Sequence, residues 1–125
     1  MAGSERTLHS AVVLIVEDDI LLRLGTASAL RDAGFEVLEA VNAAEAMLLL
    51  NSMAIDAMIS DVNIPGHMDG FALAKWVRNR APDTKIVLTS ATEQSLGEAE
   101  HYACFLAKPY DEPAVQQLLR EMLTH

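Results

Sequence analysis

Five short apolar runs alternate with stretches that carry helix caps, and this alternation constrains the chain more than any other feature. Residues 11–16 are unbroken apolar and rich in β-branched side chains, as in a strand buried on both faces. Glu17, Asp18 and Asp19 end that run. Asp19 then caps a helix expected over 20–33, with Gly34 as its stop. Residues 35–40 read as a second strand, and Asn42 with Glu45 makes a capping-box-like start for a helix ending near Met53. The apolar run from Ala54 closes at Ser60 and Asp61 and reads as a third strand. Pro65, Gly66 and Gly70 break the pattern after it, and Asp69 caps a helix reaching about Arg80. Pro82-Asp83 is a turn, and 85–89 a fourth strand. A weak helix, interrupted by Gly97, is expected over 92–100, followed by a fifth strand over 102–107. Asp111 caps a last helix through about Leu123, with Pro113 tolerated in its first turn.

Strand and helix in alternation, joined by short loops, imply a parallel sheet covered by helices on both faces. Right-handed crossovers leave few topologies, and the flavodoxin-like strand order 2-1-3-4-5 is the most economical for five units. A chain of 125 residues holds one such domain. The expected organisation is a polar tail over 1–10 and a single α/β domain over 11–125.

Charge narrows the function. Nine basic against eighteen acidic residues give a net charge of −9, which disfavours direct nucleic-acid contact and docking on anionic membranes. The single cysteine, Cys104, cannot form an intrachain disulfide and fits a reducing cytosol. Neither a membrane-length apolar run nor a signal-peptide core is evident, so a cytoplasmic protein is expected.

In the expected fold the first, third, fourth and fifth strands end side by side. They deliver Glu17 and Asp18, Asp61, Thr89-Ser90 and Lys108 to one edge, where ligands of parallel sheets bind. Three crowded carboxylates repel one another, and one lysine is too little to offset them. A divalent cation is the natural partner, and an oxygen-only ligand set without His or Cys favours Mg²⁺. A carboxylate beside Mg²⁺ and a lysine suits phosphoryl transfer and can itself form an aspartyl phosphate.

With these residues in place, the sequence resembles a response regulator receiver domain, the phosphoacceptor module of two-component signalling. The matching stretches are Val-Leu-Ile-Val-Glu-Asp-Asp, Asp-Val-Asn-Ile-Pro-Gly ahead of Met-Asp-Gly, Val-Leu-Thr-Ser-Ala and Lys-Pro-Tyr, in the family's order from Val13 to Tyr110. The resemblance implies that Asp61 is the phosphoacceptor and that Glu17 and Asp18 hold Mg²⁺ together with Asp61 and the backbone carbonyl of Asn63. It implies that Ser90 bonds the phosphoryl group, that Lys108 pairs with its oxygens, and that Phe105 is the aromatic switch. The implied partners are a histidine kinase or histidine phosphotransfer protein as donor and a downstream protein as target. The domain would be no enzyme in the ordinary sense, since it catalyses only its own phosphorylation and dephosphorylation.

Two features depart from the family pattern. His67 is an extra residue in the loop after Asp61, and the segment between Ser90 and Lys108 is short, which weakens the helix expected there. Only Thr124-His125 follow the last helix, so a stand-alone receiver is expected, acting by a protein contact or as a phosphorelay intermediate. Two other readings are a receiver-like interaction module that is not phosphorylated and a small phosphoaspartate-type phosphatase. The latter usually needs a second acid beside the nucleophile, whereas Val62 and Asn63 follow Asp61. A flavodoxin-like cofactor site lacks its Gly-rich loop.

Overall fold

The computed structural model describes residues 11–124. The expected tail over 1–10 lies outside them. Five strands run β1 Val12–Val16, β2 Glu36–Ala40, β3 Ala57–Asp61, β4 Lys85–Ser90 and β5 Ala103–Ala107. All pair in parallel, in the order β2-β1-β3-β4-β5. The helices are α1 Ile20–Asp32, α2 Ala43–Ser52, α3 Gly70–Arg80 and α4 Glu112–Leu123. None is long and apolar enough to cross a membrane.

The sheet separates two cores. Leu14, Val16, Met58, Ile86 and Leu88 face α2 and α3, meeting Ala46, Leu73 and Val77. Val13, Ile15, Ile59 and Val87 face the opposite side, meeting Ala27 and Leu30 of α1 and Val115 and Leu119 of α4. Alternate residues of one strand therefore feed different cores, which is why the strand sequences are apolar without a break.

Each α-helix starts where an Asx side chain accepts the backbone N–H three residues on. Asp19 accepts from Leu22 (3.1 Å), Asn42 from Glu45 (2.9 Å), Asp69 from Ala72 (2.8 Å) and Asp111 from Ala114 (2.8 Å). α1 stops in a Schellman arrangement. Gly34, at φ +102°, donates to Arg31 and Phe35 donates to Leu30.

The helix expected over 92–100 is not there. Residues 91–96 are irregular, and a 3-10 helix, Gly97–His101, replaces it. The cause is local chemistry. The Ser95 hydroxyl accepts the Gly97 N–H (3.2 Å), and Gly97 takes φ +59°, a left-handed value that ends helical progress. Thr92 and Gln94 meanwhile turn back to bond Ser90. With no full helix above it, β5 is only partly covered: Ala107 is exposed and Phe105 half-buried.

One glycine sets the height of α3 over the sheet. The Gly70 N–H donates to Val62 O (2.8 Å), and a Cβ at Gly70 would meet the Asp61 carbonyl oxygen, with Val62 Cα at 2.6 Å and the Asp61 carbonyl carbon at 2.9 Å. Backbone on that side cannot yield. Gly25, in the middle of α1, has nothing within 4 Å of such a Cβ. Opposite effects are expected from the same substitution. Gly25→Ala should stabilise by up to ~1 kcal/mol through helix propensity. Gly70→Ala should destabilise by ~1–3 kcal/mol through overpacking. Thermal melts of the two variants, compared with the parent chain, check this.

Candidate functional site

Because β1, β3, β4 and β5 are neighbours, their C-terminal ends form one continuous edge. Glu17, just past β1, is buried, and its N–H donates to Ala40 O (3.0 Å), so β2 fixes its backbone. Its Oε2 accepts the Asp19 N–H (3.1 Å). Asp18 is exposed. Asp61 closes β3 and is 8 % exposed, with Oδ1 accepting the Asn63 N–H (3.0 Å). Lys108, in the loop after β5, reaches between the two acids. Its Nζ donates to Glu17 Oε1 (2.6 Å) and to Asp61 Oδ2 (2.7 Å).

Glu17, Asp18 and Asp61 each offer a carboxylate oxygen within 4.8 Å of the others. One ammonium faces three carboxylates, so the cluster carries a formal excess of negative charge. Burial pulls the Lys108 ammonium down, but its bonds to Asp61 and Glu17 and their charges outweigh this, and its pKa is held above the ordinary lysine value. Lys108 is therefore fully charged at neutral pH. The donor set is all oxygen, with no imidazole or thiol in the cluster. It fits a hard divalent cation such as Mg²⁺, which takes one or two carboxylates and keeps water in its remaining positions.

The structure thus brings Glu17, Asp18, Asp61 and Lys108 together as the sequence suggested. Asn63 joins through its amide. Ser90 is at the same edge and buried, and Lys108 N donates to its carbonyl (2.8 Å). Its hydroxyl, however, turns to the 91–96 loop, bonding Thr92 and Gln94 rather than Asp61 or Lys108. Phe105 sits opposite Leu88 in the β4–β5 ladder. Among the described residues it is not one of the side chains packed on either core.

Sequence reasoning missed Arg23. Its Nη1 donates to the Glu17 carbonyl (2.9 Å), while Nε pairs with Glu39 on β2 (3.1 Å). Arg31 holds the other Glu39 oxygen (3.2 Å). This clamp fixes the loop bearing the acids, and nothing in the spacing of Arg23 and Glu39 announces it. The Gln94–Ser90 bond (2.9 Å) was missed as well, because it depends on a loop that replaces the expected helix.

Comparison with known proteins agrees with this geometry. The profile of the response regulator receiver domain matches residues 13–120. The sensor kinase CckA of Brucella abortus is 33% identical over 120 residues, which cover 91% of this chain and 13% of that protein. The transcriptional regulatory protein PdtaR of Mycobacterium tuberculosis (strain CDC 1551 / Oshkosh) is 33% identical over 117 residues, covering 88% of this chain and 57% of that one. The chain therefore spans less than two thirds of either relative. Among solved structures, the chemotaxis response regulator CheY4 of Vibrio cholerae superposes with a TM-score of 0.81 at 34% identity, covering 91% of this chain and 99% of that one. The receiver domain of the hybrid histidine kinase CckA gives a TM-score of 0.77 at 33% identity, covering 90% and 99%. A profile match across most of the chain, the shared strand order and an acidic cluster at the strand ends lead to one conclusion: this chain belongs to the response regulator receiver domain family of two-component signalling.

Proposed function

We propose that this receiver accepts a phosphoryl group on Asp61 from a phosphohistidine of a histidine kinase or histidine phosphotransfer protein, and signals to a protein partner or hands the group on in a phosphorelay. The observation that carries this reading is the Lys108 ammonium placed between Asp61 and Glu17 inside a three-carboxylate cluster.

In the reaction, an Asp61 carboxylate oxygen attacks phosphorus. A new P–O bond forms as the P–N bond of the donor breaks. The electron pair of that bond leaves on the imidazole nitrogen. In hydrolysis, water attacks the same phosphorus and inorganic phosphate departs, returning the carboxylate. Glu17, Asp18, Asp61 and the Asn63 carbonyl would hold Mg²⁺, which neutralises charge on the phosphoryl oxygens when bound. Lys108 supplies a second positive charge to those oxygens. Asn63 N–H already donates to Asp61 and keeps the carboxylate oriented. Ser90 would bond the phosphoryl group by its hydroxyl, and Phe105, half-buried on β5, would move with Ser90 as the switch. Ile20, Leu21 and Leu24 expose apolar side chains on the first turns of α1, beside Asp18, and offer the donor protein a surface next to the acceptor. A cytoplasmic setting suits such a donor.

Asp61→Asn tests the acceptor directly, because the amide keeps the shape and loses the nucleophile. Incubated with acetyl phosphate and Mg²⁺, the parent chain should gain one phosphoryl mass that is lost in base. The variant should keep its circular dichroism spectrum and gain none. Undiminished labelling of the variant refutes the assignment.

Asp18→Asn tests the cation. Removing one repelling carboxylate should raise the melting temperature in EDTA, while the additional rise on adding Mg²⁺ should shrink. An identical Mg²⁺ response in variant and parent would remove Asp18 from the metal site.

A further inference from the structure

Ser90 ends β4 and is buried. A hydroxyl has two lone pairs and one proton to place. Two N–H groups point at the Ser90 oxygen: the Thr92 backbone amide at 3.1 Å and Gln94 Nε2 at 2.9 Å. Together they fill both lone pairs. The Thr92 hydroxyl lies at 3.3 Å, beyond the usual O–H···O range, and Gln94 Nε2 also approaches it, at 3.4 Å. The Ser90 proton therefore has no acceptor nearer than the Thr92 hydroxyl at 3.3 Å among the described residues, a longer contact than either N–H bond that the Ser90 oxygen accepts.

A phosphoryl group brings only acceptor oxygens. A hydroxyl that bonds it must donate. Filling the lone pairs of Ser90 with N–H donors commits the hydroxyl to donate and polarises it in that direction. We propose that Gln94 is a positioning residue for phosphorylation, acting through Ser90 by holding its hydroxyl as a donor for the incoming phosphoryl oxygens. This rests on reading Asp61 as the acceptor and Ser90 as the phosphoryl-binding hydroxyl. It also gives the irregular 91–96 loop a use. Gln94 folds back across four residues to the strand end, an arrangement that occurs where the expected helix has been replaced.

Two substitutions separate donor from shape. Gln94→Leu removes the N–H. Gln94→Glu keeps the length but presents acceptor oxygens, which would take the Ser90 proton for themselves and add a negative charge near the phosphoryl group.

The experiment measures the rate of phosphoryl loading from acetyl phosphate with Mg²⁺ on the full chain, alongside melting temperature in EDTA. Gln94→Leu should slow loading roughly three- to tenfold and Gln94→Glu more, with melting temperatures close to the parent's. In a Ser90→Ala background, itself slow, Gln94→Leu should have no further effect, because the residue acts through the hydroxyl. Loading at parental rate in both Gln94 variants overturns the proposal. So does faster loading, which would make Gln94 a restraint on Ser90, and so does an equal slowing in the Ser90→Ala background. Failure of the underlying reading shows separately, as absence of loading in the parent chain or full loading of Asp61→Asn.

Discussion

The ion triad of Lys108 with Glu17 and Asp61 is the interaction on which the rest of the structure depends. Two buried carboxylates from neighbouring strands lie close enough to share one ammonium, at 2.6 and 2.7 Å. Without it they would repel across a partly dehydrated space. The triad ties the end of β1, β3 and the loop after β5, with Lys108 lying 91 residues from Glu17 and 47 from Asp61 in sequence. Such a pairing is weak evidence for net stability, because desolvation offsets much of the attraction. Its value is positional. It holds a carboxylate, a cation and an edge open to solvent in one arrangement, with a third carboxylate, Asp18, on the exposed side.

Around that triad the backbone is held from several directions. Arg23 and Glu39 fasten the acidic loop to β2. Val62 N donates to Thr89 O (2.9 Å), joining β3 to β4 just beyond Asp61. Gly70 lets α3 rest directly on the Asp61–Val62 backbone. By contrast the 91–101 stretch relies mainly on side chains bonding their own neighbours, with Ala99 buried and Leu96 partly buried on the first core and an exposed Lys75–Glu98 pair (3.2 Å) to α3. A firmly held acidic cluster beside a more locally bonded loop is the division of labour expected of a switch, with fixed elements for the chemistry and a less constrained one for the response.

Much of this was legible in the sequence. Asp19, Asn42, Asp69 and Asp111 each cap the helix they were assigned, because an Asx oxygen accepting a nearby N–H is a local interaction. Alternation and handedness left few strand orders, the most economical of them is the one observed, and the convergence of Glu17, Asp61 and Lys108 follows from that order. What escaped was whatever depended on side chains meeting across the fold. The burial of Glu17 and exposure of Asp18, adjacent in sequence, are set by the pleat and by Lys108. The Arg23–Glu39 clamp joins two elements with no shared pattern. Gly70 reads in sequence as a turn residue, yet it is required by a close approach of backbone to backbone. The helix expected over 92–100 failed because Thr92, Gln94 and Ser95 found partners other than a helical ladder, and because Gly97 adopts a left-handed turn.

The measurement that bears most directly on the triad is a Mg²⁺ titration of thermal stability in Lys108→Met beside the parent chain. In EDTA the variant leaves two carboxylates uncompensated and should lose ~1–3 kcal/mol, less than the ~3–5 kcal/mol of a fully buried pair because the site is partly exposed. With Lys108 gone, a cation at the acids no longer meets an ammonium. Even water-like screening makes that repulsion ~1 kcal/mol per unit charge pair at ~4 Å, so the variant should bind Mg²⁺ roughly tenfold or more tightly and recover most of its lost stability. A variant that melts with the parent in EDTA, or that gains no more from Mg²⁺ than the parent does, would contradict a site built on charge balance between Lys108 and the three carboxylates.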